Sequence, residues 1–253
     1  MKARLHALLL PLLWSASYAW AEDPFKLTAG LYRMTGGDAA NARGLDMNLR
    51  YSTSYGNTWL GWYRQPEVNN DPDTNFKQWR TGWDNSFSVG AIKLQPSIQA
   101  AEGGFLGGSF GVETGEAIHK NWYAGAGLGR TNLRPYVNLN FDPNDALMAS
   151  GGYRWSTHES LGLQWVRDNR MNPDQRHLHV VYRRGLAEHH RITFDVLSKA
   201  GSVTLATGAT QKIDKLGLSI GYDWHEHFVK VAFDPNVNFT TQNMLRISIG
   251  TRF

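Results

Sequence analysis

His158-Glu-Ser160 places an imidazole two residues from a hydroxyl. A histidine within reach can take the hydroxyl proton and make serine a nucleophile, provided a carboxylate holds the ring in the right tautomer. His177 and His179, and again His225 and His227, repeat imidazoles at the same spacing, and His189-His190 is a further pair. Residues two apart share one face of a strand, so such pairs can touch a common metal. A zinc site takes three or four ligands, however, and only Asp223 is placed to join the second pair. No metal is therefore expected, and the pairs read as turn or interfacial histidines. Asp142-Pro-Asn-Asp145 and Asp234-Pro-Asn236 offer carboxylates that calcium would accept, yet Asp-Pro-Asn forms a turn without an ion. Gly125-Ala-Gly-Leu-Gly129 imitates a nucleotide-binding loop, but its spacing is wrong and no helix follows. It reads as a strand, and no cofactor is expected.

A larger set of charges becomes visible only through the elements that must hold it. In the last segment, Leu245, Ile247, Ile249 and Phe253 alternate with Arg246, Ser248, Gly250 and Arg252. A strand sends alternate side chains to opposite faces, so one face is apolar and the other polar. The same pattern recurs in 45–52, 137–141, 160–167, 191–196 and 216–222, with weaker copies at 25–35, 76–86, 91–101, 105–114, 121–130, 177–184 and 226–234. Single-chain membrane barrels carry even numbers of strands, so the expected fold is all-β, a transmembrane antiparallel up-and-down β-barrel of about 14 strands in a range of roughly 12 to 16.

Tyr55-Gly-Asn57, Ser156-Thr-His-Glu159 and Trp224-His-Glu226 read as compact turns, whereas 36–44, 65–75, 168–176 and 234–242 read as longer polar loops. One rim should thus carry short turns and the other long loops, although the alternation cannot be followed between 76 and 130. Trp59, Trp62, Trp79, Trp83, Trp122, Trp155, Trp165 and Trp224 gather at segment ends, as amphipathic rings do at the headgroup level of a bilayer.

With the apolar face outward, the lumen should receive Asp46, Arg50, Lys93, Glu113, Arg154, Asp168, Arg183, Asp195, Lys230, Arg246 and Arg252, seven cations against four acids. Gly107, Gly111, Gly125, Gly127, Gly129, Gly162, Gly217 and Gly221 share that face and leave room for water or for a close plug.

Residues 1–21 have the three-part layout of a cleaved signal peptide: Lys2 and Arg4, an apolar run from Leu5 to Trp14, and small residues up to Ala19-Trp-Ala21. The run is too short to span a bilayer as a helix. Residues 22–253 then form one barrel domain. Without Lys2 and Arg4 the formal charge falls from +4 to +2, so nucleic acid is not an expected partner. The absence of cysteine excludes disulfide and thiol chemistry.

A leader, alternating strands throughout and a terminal Phe253 preceded by apolar residues at every second position resemble Gram-negative outer-membrane β-barrel proteins. Thr251 stands where many of them place a second aromatic. The resemblance implies residence in the outer membrane, contact with its lipids and lipopolysaccharide, and a terminal strand read by the barrel-insertion machinery during assembly, with Phe253 as the signal. Outer-membrane lipid deacylases resemble one another in placing His and Ser two apart on one strand. Here His158 and Ser160 lie in or beside a tight turn, and Leu161-Gly162 stands where phospholipase-like members show Asn, so a polar turn is expected and no catalytic residue is assigned. The favoured expectation is a passive channel for small, anionic solutes. The alternatives are a closed structural barrel or partner of an envelope machinery, and a lipid or lipopolysaccharide hydrolase.

Overall fold

In the last strand Leu245, Ile247 and Ile249 are 43%, 48% and 59% exposed, whereas Ser248 between them is 3% exposed. The apolar face therefore looks out and the polar face looks in. Leu31, Leu60, Leu106, Leu128, Leu147 and Leu216 repeat the exposure around the wall. So much apolar surface has no stable place in water, and it matches the lipid-facing band of a membrane barrel.

The computed structural model describes residues 23–36, 41–66, 75–114, 118–129, 146–168, 175–205, 207–237 and 241–253. The signal segment 1–21, the expected strand 137–141 and the turn at 142–145 lie outside the described residues. The strands are β1 (Phe25–Thr35), β2 (Arg43–Thr53), β3 (Gly56–Gln65), β4 (Phe76–Asp84), β5 (Phe87–Val89), β6 (Ile92–Ala101), β7 (Phe105–Thr114), β8 (Trp122–Gly129), β9 (Ala146–Arg154), β10 (Glu159–Asp168), β11 (Gln175–Ala187), β12 (His190–Thr204), β13 (Thr210–Trp224), β14 (His227–Asp234) and β15 (Asn243–Arg252). Neighbours in sequence pair antiparallel, and β15 pairs with β1, so the sheet closes on itself.

β4 and β5 are two parts of one stave, since both pair with β6 in a single register, Asp84 opposite Ser97 and Phe87 opposite Leu94. The break between them faces Pro96. Pro96 accepts a hydrogen bond from the Asn85 amide at 3.1 Å but has no N–H to return, so the ladder lapses there. The barrel accordingly has fourteen staves, an even number. β1 and β2 have 11 residues, and β3, β6, β7, β10 and β15 have 10, about the length a tilted strand needs to cross a bilayer core.

The start of β1 and the end of β15 lie at one rim, the chain-end rim, together with the turns at 54–55, 90–91, 155–158, 188–189 and 225–226. The opposite rim carries the longer connections, with two departures: the short turn at 102–104 between β6 and β7 lies on it, and the seven-residue connection 115–121 between β7 and β8 lies on the short-turn rim. The short turn on one rim and the longer connection on the other, one after the next, are what obscure the alternation between 76 and 130 in the sequence.

Aromatic rings ring the rim that holds the chain ends. Phe25 stacks on Tyr51 at 4.8 Å and on Phe253 at 5.6 Å, Trp122 meets Tyr153 at 4.8 Å, and Tyr222 meets Trp224 at 5.7 Å. Trp59 departs from the expected girdle. Its position on β3 turns it inward, where it lines the lumen over Gly82. Phe253 closes the seam through reciprocal backbone bonds with Phe25, 2.9 and 3.0 Å long.

Candidate functional site: a charged lumen

The inner faces enclose a cavity of about 810 Å³ that extends from the level of Lys26, Arg50 and Asp84, near the chain ends, to that of Tyr32, Asp234 and Met244. Its wall is divided. β1–β4 and β12–β15 supply the charges, while β6–β10 supply Gln95, Ser97, Ser109, Gly111 and Gln164.

Asp46 organises the charged half. Tyr32 donates its hydroxyl proton to Asp46 Oδ2 at 2.7 Å, Arg80 Nη2 meets Oδ1 at 2.5 Å, and Arg246 Nη2 lies 3.8 Å from Oδ2. Arg246 also donates to Ser248 Oγ at 2.7 Å and covers the Tyr32 ring at 4.9 Å. Arg80 reaches Asp46 by crossing β3 at Gly61, where an added Cβ would stand 2.7 Å from Arg80 Nε. Both partners of the Arg80–Asp46 pair are 7% exposed, so losing one contact leaves a charge out of water. Gly61→Ala is expected to displace Arg80 and destabilise the barrel by about 3 kcal/mol. Urea unfolding in lipid vesicles measures it.

The remaining expected charges fall on the inner face by register. Arg50 Nη2 grips both oxygens of Asp84 at 2.6 and 2.8 Å, and Asn57 donates to the same carboxylate. Lys93 and Arg154 flank Glu113 at 3.5 and 3.4 Å. Arg252 lies 2.6 Å from Asp223, which Arg191 approaches to 3.4 Å. Asp195 accepts from His179 Nδ1 at 3.0 Å. Lys230 lines the cavity. Arg183 sits opposite Ser160 and Thr193 near the chain-end rim, with no acid in ion-pair distance among the described residues. The backbone of Asp168 pairs with Ala146 and Gln175 at the far end of β10, and its side chain lies outside the described residues.

Several inward charges escape the sequence pattern: Lys26, Arg80, Asp84, Arg191, Lys199, Asp223 and Asp234. Lys26 Nζ caps the Phe228 ring at 4.4 Å, with the Arg252 guanidinium on the same ring at 5.4 Å. Gly250 makes room for that ring, which a Cβ would meet at 2.2 Å. At two other inward glycines neighbouring residues occupy the space, whereas Gly221 leaves it open. A Cβ on Gly127 would meet the Met148 methyl at 2.7 Å, and one on Gly217 would meet Pro235 at 2.9 Å.

At the long-loop rim the chain after β14 turns inward. Lys199 is wholly buried, and its ammonium donates to Asp234 Oδ1 at 2.5 Å and to the carbonyls of Pro235 and Asn236 at 3.0 and 3.1 Å. Val237 then packs with Tyr32, Met34, Ala42, Tyr63 and Met244 in a buried cluster at the end of the cavity. The Asp-Pro-Asn turn of β14 is thus held by a lysine from β12 that reaches over the intervening strand β13.

His158 and Ser160 lie in and beside a tight turn, as expected. His158 is an exposed turn residue and Ser160 begins the inner face of β10; among the described residues neither bonds to the other. Glu159 accepts the Tyr182 hydroxyl at 2.5 Å instead of orienting a histidine. His177 and His179 stack at 6.3 Å on the inner face, while His225 lies in a turn against His189 and His190, 5.4 Å from each. Among the described residues no group of three or more His, Cys, Asp or Glu could hold a metal ion.

No protein-family model matches the sequence, and no curated protein matches it. Among solved structures, OmpF of Salmonella typhi in complex with daunomycin is similar over 90% of this chain and 96% of its own, with 10% identity and a TM-score of 0.48. The Acinetobacter baumannii outer membrane protein Omp33 is similar over 91% of this chain and 98% of its own, with 9% identity and a TM-score of 0.48. The KdgM porin covers 90% of this chain and 99% of its own, with 6% identity and a TM-score of 0.43. At these scores no solute or partner is carried over, and the chain itself is a closed antiparallel barrel of fourteen staves with an apolar outside and a charged inside.

Proposed function

We propose that this chain is a passive channel of the bacterial outer membrane that admits small anionic solutes. One observation carries the reading: a cavity of about 810 Å³ runs along the inner wall, and its lining mixes cations and acids in place of an apolar fill. Among the described residues the inner acids are each engaged. Asp46, Glu113 and Asp223 each face two cations, and Lys26 and Arg183 stand on the inner face with no acid in ion-pair distance among the described residues. Inside low-dielectric walls such an excess sets a positive potential that concentrates anions.

The closed-barrel reading is favoured by a different feature, the inward segment after β14 that Lys199 holds at one end and whose Val237 packs against Tyr32 and Tyr63. Conductance of the purified barrel in planar bilayers separates the two. Discrete openings with anion preference support the channel, and silence supports the closed barrel. No hydrolase is proposed, because among the described residues the geometry brings no carboxylate and histidine to Ser160.

Passage to the membrane belongs to the same proposal. The segment 1–21 is removed after export, and the insertion machinery reads the strand ending at Phe253. Phe253→Ala removes the ring that stacks on Phe25 while the wall pairing stays. It should lower the amount of folded barrel in outer-membrane fractions several-fold while leaving folding into vesicles in vitro intact. Equal amounts of variant and parent in the membrane would deny Phe253 that role.

A further inference from the structure

We propose that the outward face of β1–β4, at the long-loop rim, binds the phosphorylated headgroup of an outer-leaflet lipid. The inference rests on the outer-membrane placement proposed above and concerns the outside of the wall, which the channel does not use.

Arg33 stands directly opposite Arg43, and Arg64 directly opposite Lys77. All four are exposed and point outward. Like charges directly opposite on one face of a sheet repel, so the arrangement costs stability unless an anion comes between them. Among the described residues the four form no ion pair, and Arg33 donates only a long bond to Asn41 Oδ1 at 3.4 Å.

The site is also shaped. Trp62, Arg64, Asn75 and Lys77 line a concavity of about 420 Å³ on the outer surface. Trp62 and Trp79 are register partners with ring centres 6.3 Å apart, one outward row closer to mid-wall than Arg64 and Lys77. One outward row is two residues, about 7 Å along a strand. Below the rings, Leu60, Leu31 and Met47 are exposed and belong to the apolar band. The order from mid-wall to rim is therefore aliphatic, indole, cation, which follows the order of acyl chain, headgroup boundary and phosphate in a lipid.

Arginine offers a planar fork to phosphate oxygens, lysine a point charge and Asn75 an amide. Indole rings sit well at the boundary beneath a headgroup. A soluble anion would not need the aliphatic rows below, and a lipid without phosphate would not need four cations. The chemistry fits a phosphorylated, acylated saccharide such as lipid A.

The test uses the full barrel in nanodiscs of zwitterionic phospholipid. Insertion is read first, since a barrel that does not insert defeats the membrane placement itself. The inserted barrel is then titrated with phosphorylated lipid A, with the same lipid dephosphorylated and with inorganic phosphate, and bound ligand is counted by native mass spectrometry. The double variant Arg64→Gln, Lys77→Gln should bind phosphorylated lipid A about thirtyfold more weakly. Dephosphorylated lipid A should bind the parent as weakly as phosphorylated lipid A binds the variant. Arg33→Gln, Arg43→Gln, at the other opposed pair, should weaken binding in the same direction, and heat-modifiable gel mobility confirms that each variant is folded. Equal binding of the two lipids, or unchanged binding in the folded variants, overturns the site. Competition by inorganic phosphate at the concentrations at which lipid A binds overturns the lipid as its occupant.

Discussion

Replacing Lys199 by methionine is expected to raise the conductance of the barrel and to lengthen its open times. Lys199 has no exposed surface, and its ammonium supplies three hydrogen bonds, to Asp234, Pro235 and Asn236. Methionine fills most of the same volume but donates nothing, so Asp234, itself 5% exposed, keeps its charge without this counter-ion. Breaking a buried pair from one side costs about 3 to 5 kcal/mol. The wall can avoid that cost only by letting the segment after β14 leave its inward seat, which carries Val237 away from Tyr32 and Tyr63. The wall itself is unaffected, because β12 pairs with β11 and β13 through its backbone. Lys199→Met combined with Asp234→Asn should recover part of the parent conductance, since the stranded charge is then gone. Single-channel recording of the three proteins reads the effect.

The second large effect is on selectivity. Lys26 and Lys230 both line the cavity, on adjoining parts of the β1, β15 and β14 wall. Exchanging both for glutamate changes the inner charge by about four units. The neighbours of Lys230 are Gly221 and Ser248, so a shorter acidic side chain meets no steric obstacle. The double variant should convert anion preference into cation preference, seen as a change in sign of the reversal potential under a salt gradient. The effect should shrink at high ionic strength, where the Debye length falls to about 3 Å. A reversal potential that keeps its sign at low salt would mean that other lumen charges set selectivity.

Most of the wall is legible in the sequence because membrane and lumen impose opposite demands on alternate residues. Leu245, Ile247 and Ile249 against Arg246, Ser248 and Arg252 state both faces within one segment. Legibility fails where that contrast fades. β12 continues to Thr204, but its outward residues beyond Val196 are Ser198, Ala200 and Ser202, so the apolar alternation ends before Lys199. Arg80 and Asp84 share β4 with Trp79, Thr81 and Trp83, and the mixture of rings and polar groups masks which face is inner. Pro96 interrupts the ladder opposite β4 and β5 without moving the register, so the segment 76–86 of the sequence is one stave that runs on to Val89 in two strands.

The parts of the lumen that matter most for conduction are of another kind. Asp234 reads correctly as the start of an Asp-Pro-Asn turn, but the turn's place at the long-loop rim depends on Lys199, 35 residues earlier. Arg80 reaches Asp46 only because Gly61 lies beneath it, 34 residues separating the paired charges. Such contacts are set by barrel curvature and side-chain reach, and no local periodicity records them. The opposed cations Arg33 with Arg43 and Arg64 with Lys77 likewise become neighbours only once the register is known.

The most direct test of the channel is current through the purified parent barrel in planar bilayers under a KCl gradient. The account predicts discrete openings whose reversal potential has the sign of chloride selectivity, with larger steps after Lys199→Met. A folded barrel that stays silent in both forms, or one whose openings favour potassium, would contradict it.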